Sequence, residues 1–70
     1  MQTILGAGGA IGIELAKALT LYTGNIRLVS RNPKKINEAD TLFPADLTKR
    51  EKIFDAVNGS EIVYVTIGVE

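Results

Sequence analysis

A glycine-rich segment near the start of the sequence limits the folds available to this chain of 70 residues. Gly6, Gly9 and Gly12 recur at a spacing of three, directly after the apolar run at residues 3–5. Each glycine costs conformational entropy on folding, so three of them beside a helix start are unusual for a plain connection. A strand that leads through glycines into a helix is typical of a phosphate-binding turn. The segment therefore predicts a strand–turn–helix unit that holds an anionic ligand.

The three glycines have separate expected roles. Strict G-x-G-x-x-G spacing from Gly6 fails because Ile11 occupies the third position, whereas G-x-x-G-x-x-G fits. Gly6 would supply the sharp turn out of the strand, Gly9 would let the backbone approach a pyrophosphate, and Gly12 would permit close helix–strand packing. The N–H groups from Gly9 to Ile11, at the positive end of the helix dipole, would receive the phosphates.

Apolar periodicity predicts the elements of the first half of the chain. A helix is expected to begin at Ala10 and to stop at Gly24. Its buried stripe is expected to comprise Ile11, Leu15, Ala18, Leu19 and Tyr22. A second strand is expected at residues 26–30, and a short helical turn at residues 33–38.

The second half of the chain also alternates between predicted strands and helices. A third strand is expected at residues 41–45, with Pro44 at a sheet edge or at the strand's end. Thr48 and Glu51 match a capping box that opens a second helix. The buried side of this helix is expected to comprise Ile53, Phe54 and Val57. A continuous apolar run at residues 62–67 predicts a fourth strand, covered on both faces.

The order β-α-β-short α-β-α-β predicts an α/β fold with parallel strands and right-handed crossovers. The expected strand order is 3-2-1-4, with the first two crossovers on one face and the third on the other. This is the N-terminal half of a doubly wound parallel sheet. Residues 1–70 are therefore interpreted as part of a domain, with the rest of it and a substrate-binding part beyond Glu70.

Composition excludes several other classes. Eight Lys+Arg balance eight Asp+Glu, which argues against a nucleic-acid or anionic-membrane surface. The sequence has no Cys and no His, so disulfides, thiolate zinc and thiol catalysis are excluded, and no metal site is expected. No apolar run approaches the ~18 residues of a membrane span, and no secretory signal is present. A cytoplasmic location is the default expectation.

The segment from Gly6 to Gly12, opening the helix at residues 13–19, resembles the cofactor loop of extended or atypical short-chain dehydrogenase/reductases. These include the NAD(P)-dependent epimerase/dehydratases. Arg31 after the second strand and Asp46-Leu47 after the third are similar to the same pattern, which spans all 70 residues. The resemblance implies a Rossmann-like fold and a dinucleotide cofactor. We therefore expect cofactor contacts from Gly6, Gly8, Gly9, Ala10, Ile11, Gly12, Ser30, Arg31, Asp46, Leu47, Thr66 and Gly68.

The end of the second strand favours NADP over NAD. NAD-binding versions place a carboxylate ~20 residues beyond the glycines to hold the ribose diol. Here the sequence has Ser30 and Arg31 followed by Asn32, with no acid. Arg31 offers a planar charged fork for a 2′-phosphate or for stacking on adenine, and Ser30 adds a hydroxyl. Lys34 and Lys35 would add a diffuse positive field, although a solvated basic turn has the same composition.

Two further segments contain residues with open roles. In the families that the chain resembles, the Asp of the Asp46-Leu47 pair binds the adenine amino group, with help from the Leu backbone. A structural Asp in a loop would have the same sequence. Thr66 and Gly68 lie at the carboxyl end of the fourth strand, where doubly wound sheets bind ligands. Gly68 would admit the nicotinamide-side ribose or would be an ordinary loop glycine.

The resemblance implies a catalytic Tyr with a Lys four residues later, and the sequence does not contain this pair. Tyr22 is followed at that spacing by Ile26 and Tyr64 by Gly68, so both tyrosines are assigned to the core and no catalytic residue is predicted. The expected function is the NAD(P)-binding portion of an epimerase, dehydratase or reductase that acts by hydride transfer on a sugar nucleotide or small carbonyl compound.

Two alternatives stay open: a non-catalytic NADP-binding regulator, and a flavin-binding domain. An isolated fragment would have no activity. The unpaired edge of the fourth strand would also recruit a second copy, as a dimer or swapped assembly.

Overall fold

The computed structural model describes residues 1–66, so the expectations for Ile67 and Gly68 lie outside the described residues. Its elements are β1 (Gln2–Leu5), α1 (Ala10–Leu19), β2 (Ile26–Ser30), β3 (Thr41–Pro44), α2 (Arg50–Val57) and β4 (Ile62–Val65). All strand pairs are parallel, and the order is β3-β2-β1-β4. The predicted fold class and strand order are confirmed.

The sheet separates two apolar clusters, because side chains alternate between the faces of each strand. On the α1 face, the buried residues are Ile4, Ala7, Ala16, Leu19, Ile26 and Leu28. On the α2 face, they are Leu5, Val29, Ala45 and Ala56. Ile36, from the β2–β3 connection, packs on the α1 face. The first two crossovers therefore share one face and the third lies on the other, as predicted.

The buried side of α1 differs from the predicted stripe. Gly12, Ala16 and Leu19 are buried, whereas Ile11 is 69% exposed and Tyr22 is 81% exposed. The assignment of Tyr22 to the core was therefore wrong. Small residues face the sheet because the helix lies close to it, and this proximity excludes larger side chains from the contact.

The start and the buried side of α2 also differ from expectation. The helix begins at Arg50, and no side chain caps its N-terminus. Thr48 does not form the predicted capping box because its hydroxyl donates to Asp46 Oδ1 at 2.6 Å. Ala56 is fully buried, whereas Phe54 is 69% exposed.

Arg27 of β2 fixes α2 against the sheet. Its Nη1 donates to the carbonyl oxygens of Ala56 at 2.7 Å and of Asn58 at 3.0 Å. These carbonyls belong to the last turn and C-cap of α2, where carbonyl groups have no partner within the helix. The guanidinium also lies 5.7 Å from the centre of the Phe43 ring. One cation therefore stabilises the helix end and the neighbouring strand together.

The predicted helical turn at residues 33–38 does not form, and the β2–β3 connection is a series of bends and turns. Asp40 is buried and its Oδ2 accepts from the backbone N–H groups of Ile36 at 3.1 Å and Asn37 at 2.6 Å. Asn37 Nδ2 donates to the carbonyl of Ala16 at 3.0 Å. These side-chain bonds replace helical ones, as Asx-type turns do.

The two outer strands of the described sheet are β3 and β4. Pro44 ends β3 at an edge, which matches the expectation for a residue without an N–H donor. β4 was expected to be covered on both faces, but Ile62, Val63 and Val65 are exposed. Neither helix within residues 1–66 is long and apolar enough to cross a membrane.

Candidate dinucleotide-binding site

The carboxyl ends of β1, β2 and β3 meet at one edge of the sheet and surround a cleft of about 250 Å³. We call it the strand-end cleft; it is lined by Gly6, Ser30, Arg31, Ala45, Asp46, Leu47 and Thr48. Parallel strands place all their carboxyl ends on the same side, and open α/β sheets bind ligands there. The structure therefore brings five of the predicted site residues together.

Gly6 forms the turn between β1 and the loop. Its φ is +85°, in the left-handed region where a side chain is strained. The N–H groups of Gly6 and Ala7 both donate to the carbonyl of Val29, at 2.8 and 3.1 Å. The expected role of Gly6 as the sharp turn agrees with this geometry.

Gly12 lies against the loop with no room for a side chain. A Cβ at this position would lie 2.8 Å from Ala7 Cα, 2.8 Å from the Gly6 carbonyl oxygen and 3.0 Å from Thr66 Oγ1. Two of these neighbours are backbone atoms that cannot move without moving the strand. Gly12 therefore permits close helix–strand packing, as predicted.

The outer part of the loop is open. Gly8, Gly9, Ala10 and Ile11 are all exposed. The Gly9 N–H donates to the Gly6 carbonyl at 3.2 Å, and no side chain caps the N-terminus of α1. The N–H groups of the first helical turn have no partners within the helix. They are therefore available to an anion at the positive end of the helix dipole.

Thr66 faces the glycine loop. Its Oγ1 lies 2.9 Å from the Leu5 carbonyl oxygen and 3.1 Å from that of Gly6, and its N–H donates to Leu5 at 2.9 Å. The hydroxyl therefore holds the turn in place. Its predicted contact with a cofactor stays a prediction, and the predicted contact at Gly68 lies outside the described residues.

Asp46 and Arg31 form an ion pair beside the strand-end cleft, with Arg31 Nη2 3.7 Å from Asp46 Oδ1. The backbone N–H of Thr48 also donates to Oδ1, at 3.0 Å, together with the Thr48 hydroxyl. The Thr48 hydroxyl, then its N–H, and then the charge of Arg31 hold the pKa of Asp46 below its ordinary value. Among residues 1–66, no hydrogen bond ends on Asp46 Oδ2, which leaves this oxygen to accept from a ligand.

Leu47 and Ser30 complete the cleft in different ways. Leu47 is half-buried and packs on the α2-face cluster, so its side chain belongs partly to the core. Ser30 Oγ is buried and has no hydrogen-bond partner within residues 1–66. It lies 3.7 Å from the position that a Gly8 Cβ would occupy. A buried hydroxyl without a partner is unusual, and a ligand hydroxyl or phosphate would satisfy it.

A second cleft of about 580 Å³ lies between the glycine loop and the β2–β3 connection. We call it the lysine cleft; it is lined by Ala7, Gly8, Ile13, Asn32, Lys34, Lys35 and Ile36. Sequence reasoning noted the lysines only as a diffuse charge and missed Asn32 and Ile36. Their juxtaposition depends on Asn37 and Asp40, whose long-range and local hydrogen bonds shape the connection.

The tyrosine hydroxyls are not at either cleft. Tyr64 is half-buried against the α1-face cluster, and its hydroxyl donates to Gln2 Oε1 at 3.1 Å. Its assignment to the core fits this position. Tyr22 is exposed beyond the end of α1. No group of three His, Cys, Asp or Glu residues that could hold a metal occurs within the part of the chain that the structure describes.

Comparison with known proteins agrees with this geometry. A family model described as NAD(P)H-binding matches residues 6–70. The chain belongs to this NAD(P)H-binding family. The expectation of an NAD(P)-binding chain is thereby confirmed at the level of the family. No curated protein was found to match the sequence.

Two solved structures share the fold of this NAD(P)H-binding chain. One is uronate dehydrogenase from Agrobacterium tumefaciens, with a TM-score of 0.83 and 18% identity. The other is a point mutant of that enzyme complexed with NAD, with a TM-score of 0.84 and 18% identity. Each match covers 99% of this chain and 26% of the other. The chain therefore spans about a quarter of the length of these enzymes.

Proposed function

We propose that residues 1–70 form the cofactor-binding part of an NAD(P)-dependent epimerase, dehydratase or reductase of the short-chain dehydrogenase/reductase type. The observation that carries the proposal is the glycine loop. Gly6 turns the chain at a positive φ, Gly12 seats α1 against the loop, and Gly8 and Gly9 leave the uncapped helix N-terminus open. Membership of the NAD(P)H-binding family supports the same conclusion.

The residues present fit a dinucleotide in two places. The N–H groups around Ala10 and Ile11 would bind the pyrophosphate, because neither a side chain nor a cap occupies that space. The strand-end cleft would hold the adenosine, with Asp46 Oδ2 accepting from the adenine amino group and Ser30 Oγ gaining a partner. The nicotinamide ring, when bound, supplies the hydride-accepting or hydride-donating group.

The substrate class is a sugar nucleotide or a small carbonyl compound. Both solved neighbours are uronate dehydrogenase, and a uronate is a sugar acid with a carbonyl carbon, which supports this class. The proposed hydride transfer requires an acid–base group, and neither Tyr22 nor Tyr64 has a Lys four residues later. We therefore assign cofactor binding to this chain and the acid–base chemistry to residues outside it.

The proposed cofactor is NADP in preference to NAD. Residues 30–32 contain no carboxylate for a ribose diol, and Arg31 with Lys34 and Lys35 makes this end of β2 positively charged. Isothermal titration of the protein with NADPH, NADH and FAD tests the proposal. We expect both nicotinamide dinucleotides to bind, with NADPH tighter. Tighter binding of FAD, or binding of none of the three, would contradict the function, and tighter NADH would contradict only the preference.

We also propose that the chain self-associates through β4. Ile62, Val63 and Val65 are exposed on an outer strand that carries no charge and no proline, and such an edge pairs with other chains. Light scattering should show a mass that rises with concentration. Val65→Lys should lower it, whereas Leu42→Lys on β3 should not. A concentration-independent monomer would refute this.

A further inference from the structure

Residues 57–60, between α2 and β4, form a type II turn. Asn58 has a φ of −58° and a ψ of 129°, and Gly59 has a φ of +80°. The N–H of Ser60 donates to the carbonyl of Val57 at 3.0 Å, which closes the turn. The third position of such a turn favours glycine, so the fold places an asparagine directly before a glycine at the end of α2.

This pair has the groups needed for a reaction within the chain. The main-chain nitrogen after an asparagine can attack the side-chain amide carbon, which closes a succinimide ring and releases ammonia. The proton lost by that nitrogen leaves with the ammonia, and water then opens the ring to aspartate or isoaspartate. Asn58 and Gly59 are both exposed. Within residues 1–66, no hydrogen bond engages the Asn58 side chain or the Gly59 N–H, so both groups are free to react.

The backbone conformation of Asn58 opposes the reaction. Ring closure requires the Gly59 nitrogen to rotate toward the Asn58 Cβ, whereas a ψ of 129° turns it away. The Asn58 carbonyl oxygen rotates with that nitrogen, because both belong to one planar peptide group. Arg27 Nη1 donates to this oxygen at 3.0 Å and to the carbonyl of Ala56 at 2.7 Å. Rotation into the reactive conformation would therefore break a bond from Arg27.

The other three asparagines each lack one requirement of the reaction. Asn32 precedes Pro33, whose nitrogen has no hydrogen to lose. Asn25 precedes Ile26, a β-branched residue that is 1% exposed and shields its own nitrogen. The side-chain amide of Asn37 is held by a hydrogen bond to the main chain of α1. These three residues provide internal references for the same chemistry.

From this arrangement we infer that Asn58 is a site of spontaneous deamidation, and that Arg27 sets its rate by holding the Asn58 carbonyl. The inference is independent of the proposed function, because the turn lines neither described cleft. Either product adds one negative charge to a chain of zero net charge. Isoaspartate also lengthens the main chain of the turn by one methylene group, between the bonds that Arg27 makes to Asn58 and Ser60 makes to Thr3. This product should loosen α2 from the sheet and lower the thermal midpoint.

Peptide mass spectrometry of protein incubated from neutral to mildly alkaline pH measures the reaction. We expect deamidation at Asn58 and none at the other three asparagines over the same period. The rate should rise with pH, because the Gly59 nitrogen must lose a proton. Protein unfolded in urea gives the rate without the restraint of the fold, and this rate should be the higher one. Equal rates in the folded and unfolded protein would overturn the inference.

Three variants test the role of Arg27. Arg27→Met removes both carbonyl bonds, and the rate at Asn58 should rise about tenfold, as expected for the loss of one hydrogen bond from a charged donor. Arg27→Lys keeps a charged donor and should give an intermediate rate. Ile4→Val is the control, because Ile4 is fully buried on the α1 face and its truncation lowers stability without touching the turn.

The comparison between these variants decides the inference. An unchanged rate in Arg27→Met would overturn it. An equal rise in Ile4→Val would overturn it as well, since global unfolding would then control the reaction. Circular dichroism should show that each variant is folded. If Arg27→Met is unfolded, the same comparison is made between Arg27→Lys and Ile4→Val, and the rate in Arg27→Lys should exceed that in the control.

Discussion

The inner and outer halves of the glycine loop differ in what a side chain would meet. At Gly12, on the inner side, a Cβ would lie 2.8 Å from backbone atoms of Ala7 and Gly6. At Gly8 and Gly9, on the outer side, it would meet nothing closer than 3.7 Å. The inner glycine therefore serves the fold, and the outer glycines leave an open surface for a ligand. Stability and cofactor binding should accordingly respond to different substitutions.

The largest effect is expected for Gly12→Ala. Overpacking against atoms that cannot move costs about 1–3 kcal/mol, and the better helix propensity of alanine returns about 1 kcal/mol or less. Because the close neighbours are backbone, we expect a net loss near 2 kcal/mol in the free energy of unfolding. A chain of this size has a small reserve, so the thermal midpoint should fall by several degrees.

Gly24→Ala is the matched control for that measurement. A Cβ at Gly24 meets nothing within 4 Å, and its φ is not positive. Urea denaturation of this variant should give a free energy of unfolding at or slightly above that of the unaltered protein. Equal stabilities for Gly12→Ala and Gly24→Ala would remove the distinction between the two halves of the loop.

Gly9→Ala should affect cofactor binding more than stability, the reverse of what is expected for Gly12→Ala. Its Cβ would lie 3.8 Å from the Gly6 carbonyl oxygen, an ordinary contact, so stability should fall by about 1 kcal/mol or less, the cost of alanine at the helix N-cap. The added methyl group would stand between the loop and a pyrophosphate, and we expect about a tenfold or larger loss of NADPH affinity by calorimetry. Unchanged affinity in a folded Gly9→Ala protein would show that the outer half of the loop has no ligand role.

Arg31→Asp tests how the end of β2, on the ligand-binding side of the loop, affects the choice between NADPH and NADH. The substitution places a carboxylate where NAD-binding relatives hold the ribose diol, and it adds repulsion toward a 2′-phosphate. The ratio of NADPH to NADH affinity should fall by about tenfold or more and reverse the preference. Arg50→Asp makes the same charge change at the start of α2, where the side chain lines neither described cleft. This control variant should leave the ratio unchanged. A preserved ratio in Arg31→Asp would show that this position does not select the cofactor.

Thr48→Val should have the smallest effect. It removes the hydroxyl that donates to Asp46 but keeps the backbone N–H, so the pKa of Asp46 should rise toward its ordinary value. A carboxyl whose pKa is lowered by folding adds stability above the pKa of the unfolded chain, and this contribution disappears as pH falls through the folded pKa. The variant should therefore lose stability slightly at neutral pH and converge with the unaltered protein in acid.

Carbon-13 NMR titration of the Asp46 carboxyl measures that change directly. Thr20→Val is the control, because Thr20 bonds to the Lys17 carbonyl and has no contact with Asp46. An Asp46 pKa that stays in place in Thr48→Val would show that the hydroxyl does not set it.

Sequence reasoning predicted the strand order and the roles of Gly6 and Gly12, because both follow from backbone constraints. It failed on which helix residues are buried. Periodicity favoured Phe54, yet the sheet contact selects Ala56, since the closest approach of two elements requires small side chains. Hydropathy cannot distinguish a large apolar residue that is buried from one that is left exposed.

Side-chain hydrogen bonds caused the other differences between the elements predicted from the sequence and those in the structure. The Thr48 capping box matched a familiar pattern, but Asp46 competes for the same hydroxyl. The helical turn at residues 33–38 was replaced by a turn that Asp40 organises and that Asn37 joins to α1 across 21 positions of sequence. That long-range bond is invisible to local propensity, and the lysine cleft depends on it.

The contact between Thr66 and the loop couples two parts of the molecule mechanically. A single hydroxyl bridges the carbonyl oxygens of Leu5 and Gly6, and it also lies 3.0 Å from where a Gly12 side chain would begin. A force that displaces the carboxyl end of β4 is therefore transmitted to the turn and to the first residues of α1. Tension at one end of the site would change the spacing of the N–H groups at the other.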